Sequence, residues 1–442
     1  MTVRKAAAAA VIGAVSIVSA AQAADVAAKA PETSAPKSIW EQDTLTGDWN
    51  GARTALKSKG IDIAINYIGE TFAVLSGGLA RRGSYEGRLE LSVDADLEKL
   101  VGWKGASTHL TVFNIHSTGQ NVAANVGSIA DPSNIDALQT TRLFTAWFQQ
   151  GSTDDPLSVR IGQLAADDEF ITSPTAGGLI NGTFGWAGIL AADMTNGGPA
   201  YPLAAPGVRV QVRPADNIAI LGALFTGDPA GAHCGDAAQV CNRYGLKMFN
   251  MDGGSLWLGE LQYHVNQGKD AKGLPGIYKI GVWYATTDFA DQRFPIDHRG
   301  NWGIYGAADQ TVWRGAEQSV SLFVRTGASP SDRNLMSFYI DGGVGFKGLV
   351  PGRADDVLTL GVAYEKISPD AAAADRDAGL PVVRNHEIVF EASYQAQLAP
   401  WWTLQPDIQY IVHPGGNVPD PLSPAVAVKD ALVVGLRTAI KF

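Results

Sequence analysis

Ser84-Tyr85-Glu86-Gly87-Arg88-Leu89-Glu90-Leu91-Ser92-Val93-Asp94-Ala95-Asp96-Leu97-Glu98 is the stretch whose pattern decides the fold. Every second residue from Ser84 is polar, and most of that set is charged. The intervening set, from Tyr85 to Leu97, is apolar or small. Side chains of a strand alternate faces with a period of two, so the segment has one dry face and one wet face. A helix would mix the two sets around its circumference. A sandwich strand alternates too, but it does not call for this length or this charge density. A transmembrane barrel strand does, because about 9–11 residues span the bilayer while the polar face lines a watery lumen.

The same period of two runs through the rest of the chain. It predicts sixteen strands, at 61–75, 84–98, 107–117, 139–150, 157–164, 206–213, 217–226, 255–265, 276–287, 302–313, 317–326, 335–347, 355–366, 386–398, 401–412 and 430–442. Connections alternate in length. The odd-numbered ones are mostly long (118–138, 165–205, 227–254, 288–301, 367–385, 413–429), although 76–83 and 327–334 are short. The even-numbered ones are turn-like, as in Gly151–Pro156 and Leu398-Ala399-Pro400. Long loops at one end and tight turns at the other are the asymmetry of an outer-membrane barrel. The last strand sets Leu432, Val434, Leu436, Thr438, Ile440 and Phe442 on one face, with Arg437 and Lys441 on the other. A terminal Phe on the lipid face is the kind of signal that barrel-assembly machinery reads.

The N-terminus has the form of a secretory signal: Arg4 and Lys5, an uncharged run from Ala6 to Ala21, then Ala21-Gln22-Ala23 at the cut. The competing reading is an anchor helix. Removing residues 1–23 takes the formal net charge from −10 to −12. That balance argues against a nucleic-acid partner, which calls for a basic stripe. No later stretch holds 18 consecutive apolar residues, which excludes a helical membrane protein. Residues 24–60 are expected to form a periplasmic tail, Ala/Pro/Lys-rich up to Ser38, and a short helix from Asp48 to Lys59 stopped by Gly60. Residues 61–442 form the barrel domain. Cys234 and Cys241 lie in one Gly/Asp-rich stretch of an exported chain and are expected to pair as a disulfide. Their spacing fits no zinc pattern, so no metal or cofactor is expected.

Parity places side chains in the lumen. These are Glu86, Arg88 and Glu90, then Arg142, Arg160, Arg209, Gln211, Arg213, Glu260, Gln262, His264, Lys279 and Trp283, and finally Arg325, Glu365, Glu387 and Glu391. Facing lipid at the midplane, an Arg or Lys would cost about 2–4 kcal/mol. The signs are mixed, where an ion-selective pore would favour one. Carboxylates accept from vicinal hydroxyls and guanidinium forks donate to them, so the mixture suits neutral polyols. The competing reading is that these charges only solvate the lumen and pair with one another. The longest connection, 165–205, carries Asp167, Asp168, Glu169, Phe170, Phe184 and Trp186. It is the candidate for a loop folded into the pore, with its acids facing the strand arginines; an outward lid is the alternative.

Several motifs now stand in order: Leu45-Thr46-Gly47-Asp48-Trp49-Asn50-Gly51-Ala52-Arg53, Arg160-Ile161-Gly162-Gln163-Leu164 with Asp168-Glu169-Phe170, Pro206-Gly207-Val208-Arg209, Cys241-Asn242 with Gly245-Leu246, and Gly303–Gln310 with Trp313-Arg314. Together they resemble the OprB-type carbohydrate-selective porins across Leu45 to Phe442. The resemblance implies an all-β protein: a sixteen-stranded antiparallel transmembrane β-barrel with a short periplasmic helix, in the bacterial outer membrane. It also implies facilitated diffusion of glucose-like monosaccharides past an Arg/Glu constriction with aromatics, here Glu86, Arg88, Glu90, Arg160 and Arg209. The expected partners are carbohydrate solutes, outer-membrane lipid and the assembly machinery through Phe442, with the barrel a monomer or homotrimer. A general small-solute porin is the alternative. An outer-membrane enzyme would need a nucleophile beside a base. His109 near Ser107 and His116 beside Ser117 supply no such pair.

Overall fold

The computed structural model describes residues 38–442, apart from 232–233, 248–252 and 268–270. The expected signal peptide (1–23) and the tail up to residue 37 lie outside the described residues.

The sixteen expected strands are all present and close into one antiparallel barrel. They are β1 Ile61–Ser76, β2 Gly83–Asp96, β3 Ala106–Thr118, β4 Thr140–Gln150, β5 Leu157–Leu164, β6 Ala205–Ala215, β7 Ile218–Thr226 and β8 Ser255–Val265. The second half comprises β9 Gly276–Ala290, β10 Asp297–Arg314, β11 Ser319–Ala328, β12 Met336–Lys347, β13 Val357–Ile367, β14 His386–Ala399, β15 Trp402–Val412 and, after a small external hairpin (β16 Pro419–Asp420, β17 Ser423–Ala427), β18 Ala431–Lys441. Each barrel strand pairs with its neighbour in sequence, and β18 pairs with both β15 and β1. Closure leaves no unpaired edge, which hydrocarbon would not tolerate. Among the described residues no helix is long and apolar enough to cross a membrane.

The two faces divide as parity requires. On β9, Tyr278, Ile280, Val282 and Tyr284 point outward, while Trp283 and Ala285 are buried inside. On β2, Leu89 and Leu91 are exposed on the outer wall, and Glu86 and Ser92 are buried within. The outer band is apolar around the barrel, as a lipid contact requires.

Three local expectations need correction. Leu97 and Glu98 leave the strand and enter the short helix Leu97–Val101, because the Asp96 side chain accepts from the amides of Glu98 (3.0 Å) and Lys99 (3.2 Å). The connection expected at 288–301 is only 291–296. β9 and β10 run on above the rim, with Ala290 opposite Asp297 and Phe289 opposite His298. The helix expected from Asp48 spans only Ala52–Ser58. Asn50 (φ 57°) and Gly51 (φ 89°) take left-handed backbone just before it. Asp48 instead holds Thr54, accepting from its amide (2.8 Å) and its hydroxyl (2.9 Å).

That segment sits under the barrel seam. Arg53 donates to the main-chain O of Phe442 (2.6 Å) and to Thr44 Oγ1 (2.7 Å), and its guanidinium lies 4.2 Å from the Trp49 ring centre. Leu45 N donates to Lys441 O (2.8 Å) and Phe442 N to Ile65 O (2.8 Å). The Asp-Trp-Asn-Gly-Ala-Arg motif thus latches the closing strand. Arg53→Ala should cost about 1.5–3 kcal/mol, the scale of a charged hydrogen bond. Thermal unfolding in detergent should shift several degrees lower, and an unchanged transition would exclude the latch.

Candidate functional site

Two external loops fold back into the barrel. Their backbone amides are out of bulk water and must find acceptors. Carboxylates on the inner wall supply them. Glu260 accepts from Ile171 N (2.7 Å) and Tyr305 Oη (2.9 Å). Asp309 accepts from Ser173 Oγ (2.6 Å), Thr175 N (2.8 Å) and Thr175 Oγ1 (2.9 Å). Glu391 accepts from the amides of Ile180 and Asn181, and Glu365 from Thr183 Oγ1 (2.8 Å). These residues hold loop 165–204. Loop 119–139 is held in the same way, with Glu86 accepting from Val122 N (2.9 Å) and Glu387 from Ile129 N (2.9 Å) and Ala130 N (2.8 Å). The two loops join each other through Asn134 N to Ile180 O and Gly182 N to Asp131 O. Gly188 permits the close fit, since a Cβ there would lie 2.1 Å from Glu365 Oε1.

The arginines divide into two groups. Arg142, Arg209 and Arg325 are 1%, 1% and 0% exposed, and Glu86 is 2% exposed. Contrary to the expectation that they line the water path, they are covered by the loops they anchor. Arg142 donates to the carbonyls of Pro202 (2.8 Å) and Arg243 (3.2 Å). The second of these lies in loop 227–254, two residues beyond the Cys234–Cys241 disulfide, whose Cα atoms are 5.9 Å apart. Arg325 pairs with Asp341 and donates to the carbonyls of Thr183 (2.8 Å) and Gly185 (3.0 Å). Glu169 receives Arg209 (2.8 Å) and Arg160 (3.5 Å) at the root of the loop.

Arg88 and Arg160 remain partly open. The Arg88 guanidinium lies 4.6 Å from the Phe113 ring centre and 5.2 Å from that of Tyr201, and it pairs with Glu90 at 3.3 Å. Further down the same wall, Arg160 lies 4.0 Å from the Trp147 ring centre, and His109 stacks on that ring at 5.0 Å. His109 in turn bonds Asp94 (2.7 Å). Asp168 is exposed beside Arg160, His109 and Glu90. A central cavity of about 620 Å³ is lined by Arg88, Trp186, Tyr201, Asp131, Asp136, Asp167 and Arg437, among others. An outer vestibule of about 590 Å³ shares Trp186, Tyr201, Asp131 and Asp136 with it.

Sequence reasoning brought Arg88, Glu90, Arg160, Asp168, Glu169 and Trp186 to this passage. It did not single out Arg437, which pairs with Glu70, nor Tyr201, Phe113, Trp147, Asp131 and Asp136. Arg437 stood at inward parity on the last strand and could have been found that way. The loop acids titrate unusually. Burial and the neighbouring Asp136 push the Asp131 carboxyl up, and burial together with Asp168 brings Asp167 to about 7. The passage therefore mixes fixed guanidinium charge, proton-holding carboxyls and aromatic faces. This set offers hydrogen-bond donors, acceptors and ring faces side by side.

Residues 80–442 match the family described as carbohydrate-selective porin, OprB family. The chain is 27% identical to Porin B of Pseudomonas aeruginosa, with 94% of each chain covered. It is 22% identical to Putative porin QuiX of Acinetobacter baylyi, covering 91% of this chain and 94% of that one. The high-pH structure of Pseudomonas putida OprB superposes with a TM-score of 0.79 at 23% identity, covering 92% of this chain and 100% of that one. Fold and family are those of a channel rather than an enzyme. A closed sixteen-stranded barrel with an apolar belt and a narrowed polar passage belongs in the bacterial outer membrane, and the chain is a member of the OprB family of carbohydrate-selective porins.

Proposed function

We propose that the channel is a passive, non-catalytic conduit for glucose-like monosaccharides, with Arg88, Glu90, Arg160, Asp168 and Trp186 in contact with the sugar. The observation that carries this reading is Arg88 held against Phe113 and Tyr201 at the central cavity. The Tyr201 and Trp186 rings and the guanidinium there offer stacking for a sugar's C–H face and donors for its hydroxyls, with Phe113 buried behind the guanidinium. Residues 1–23 direct export, Phe442 is read by the assembly machinery, and the barrel works as a monomer or homotrimer. Planar-bilayer reconstitution tests the reading. Open-channel current should be blocked by glucose, and a current that no sugar blocks would leave a general porin.

Asp167 gives the passage a pH dependence. Its carboxyl, raised to about 7, is neutral below that value and anionic above it. Raising the pH through that value adds negative charge near Arg88, Asp168 and Tyr201. The reversal potential in a salt gradient should then move toward cation preference. Asp167→Asn should flatten this dependence, and an unchanged profile in the variant would assign the titration to another group.

A further inference from the structure

On the periplasmic side of the loop tip lies a separate cavity of about 400 Å³. That volume falls in the range of about 300–1,000 Å³ typical of small-molecule sites. Strand register builds its wall. Thr311 lies opposite Ser321, Ser321 opposite Gly345 and Gly345 opposite Thr359. Four adjacent strands thus set three hydroxyls at one level, with a gap at Gly345. The gap gives the cavity depth, because a Cβ at Gly345 would lie 3.0 Å from Thr175 Cγ2. Thr311 Oγ1 and Ser321 Oγ are 3.0 Å apart, and the buried Thr359 Oγ1 has no hydrogen-bond partner among the described residues. Gln267 and Gln395 add amides from the flanking turn and strand.

The roof is the tip of loop 165–204, fixed in place by the Asp309 bonds to Ser173 and Thr175. That carboxylate takes three hydrogen bonds from hydroxyl and amide donors, and Lys347 at the rim lies 3.4 Å from Asp355. Among the described residues no aromatic side chain lines the cavity. Its chemistry is therefore hydroxyl and amide groups interleaved with the short apolar side chains of Ile277, Val357, Pro174 and Pro275. Such a lining offers hydrogen-bond partners to a solute with several hydroxyls and apolar contact to its C–H face.

We propose that this cavity is a second solute site of the channel, an exit-side site for an uncharged monosaccharide or polyol, occupied after the solute has passed the Arg88 region. The proposal rests on the sugar-conduit reading above and adds a distinct station to it. Two stations give two relaxation processes. In planar bilayers, wild-type current noise in glucose should contain two relaxation components. Glucose added on the periplasmic side should enhance the one absent from Thr311→Val/Ser321→Ala/Gln395→Leu. That variant should weaken block from the periplasmic side by about fivefold or more, since each lost hydrogen bond is worth about 1 kcal/mol. Block from the external side should stay within about twofold, the measurable margin of a lost weak contact. Arg88→Ala should do the reverse. A single wild-type component together with Arg88-dependent block would overturn the exit site alone. An equal effect of the triple variant on both sides would also overturn it. Absence of glucose block from either side in wild type would overturn the exit site and the sugar-conduit reading together.

Discussion

Replacing Arg325 with methionine will release the constriction loop, raising open-channel conductance severalfold and abolishing sugar block while the barrel stays closed. Arg325 is buried, paired with Asp341, and donates to the carbonyls of Thr183 and Gly185 in loop 165–204. Removing one partner of a buried pair costs about 3–5 kcal/mol, because the remaining charge is left without compensation. The sixteen-strand ladder does not depend on this pair, but the local fold of the loop does. Tyr339 Oη still donates to Asp341 (2.7 Å), which softens the loss on the wall side only. Arg325→Met/Asp341→Leu separates the two effects. It removes the stranded charge, yet the loop carbonyls still lack their donor, so detergent stability should recover while conductance stays high. Wild-type conductance and sugar block in the single variant would show that the carboxylate anchors hold the loop without Arg325.

How much of this was legible in the sequence follows from which contacts are local. Alternation is a property of neighbouring residues, so Glu86, Arg88 and Glu90 could be placed inside and Leu89 and Leu91 outside from β2 alone. The ends of strands are less local. Leu97 and Glu98 continue the alternation on paper, but the Asp96 carboxylate takes two amides and turns the chain into a helix. β9 and β10 run past the expected boundary because their pairing continues from Ala290 to Asp297, which alternation in either strand alone does not reveal.

The division of inward charges into anchors and lumen groups was not legible at all. Glu391 and Arg88 look alike by parity. Glu391 meets the amides of Ile180 and Asn181, some two hundred positions away in sequence, whereas Arg88 meets two rings and lines the central cavity. Nothing within either strand encodes that difference, since it depends on where two loops come to rest. Once they do, the high density of inward carboxylates has a physical reason. Polar backbone inside a lumen needs acceptors, and a wall glutamate satisfies two amides at once. The charge that first suggested a wet face is therefore partly a framework for holding loops, and only the residue left over is in a position to touch solute.

Arg88→Ala tests that remaining part and should leave the architecture intact. Arg88 packs against Phe113 and Tyr201 and pairs with Glu90, but among the described residues it donates to no loop carbonyl as Arg325 does. Conductance should therefore change little, while the glucose concentration needed for half block should rise about tenfold, equivalent to about 1.4 kcal/mol. Loss of the positive charge beside Glu90 and Asp167 should also move the reversal potential toward cations. Arg88→Lys tells charge from shape. It restores the ion preference but not the planar fork that stacks on rings and donates to adjacent hydroxyls. Sugar block in the lysine variant should remain close to that of the alanine variant. If lysine restores block fully, the site needs only a positive charge. If alanine leaves block unchanged, selection takes place elsewhere, and Trp147 with Arg160 becomes the next candidate along the wall. The contrast with Arg325 is the decisive comparison. One arginine shapes the passage and its loss changes how much current flows, whereas the other meets the solute and its loss changes what interrupts that current.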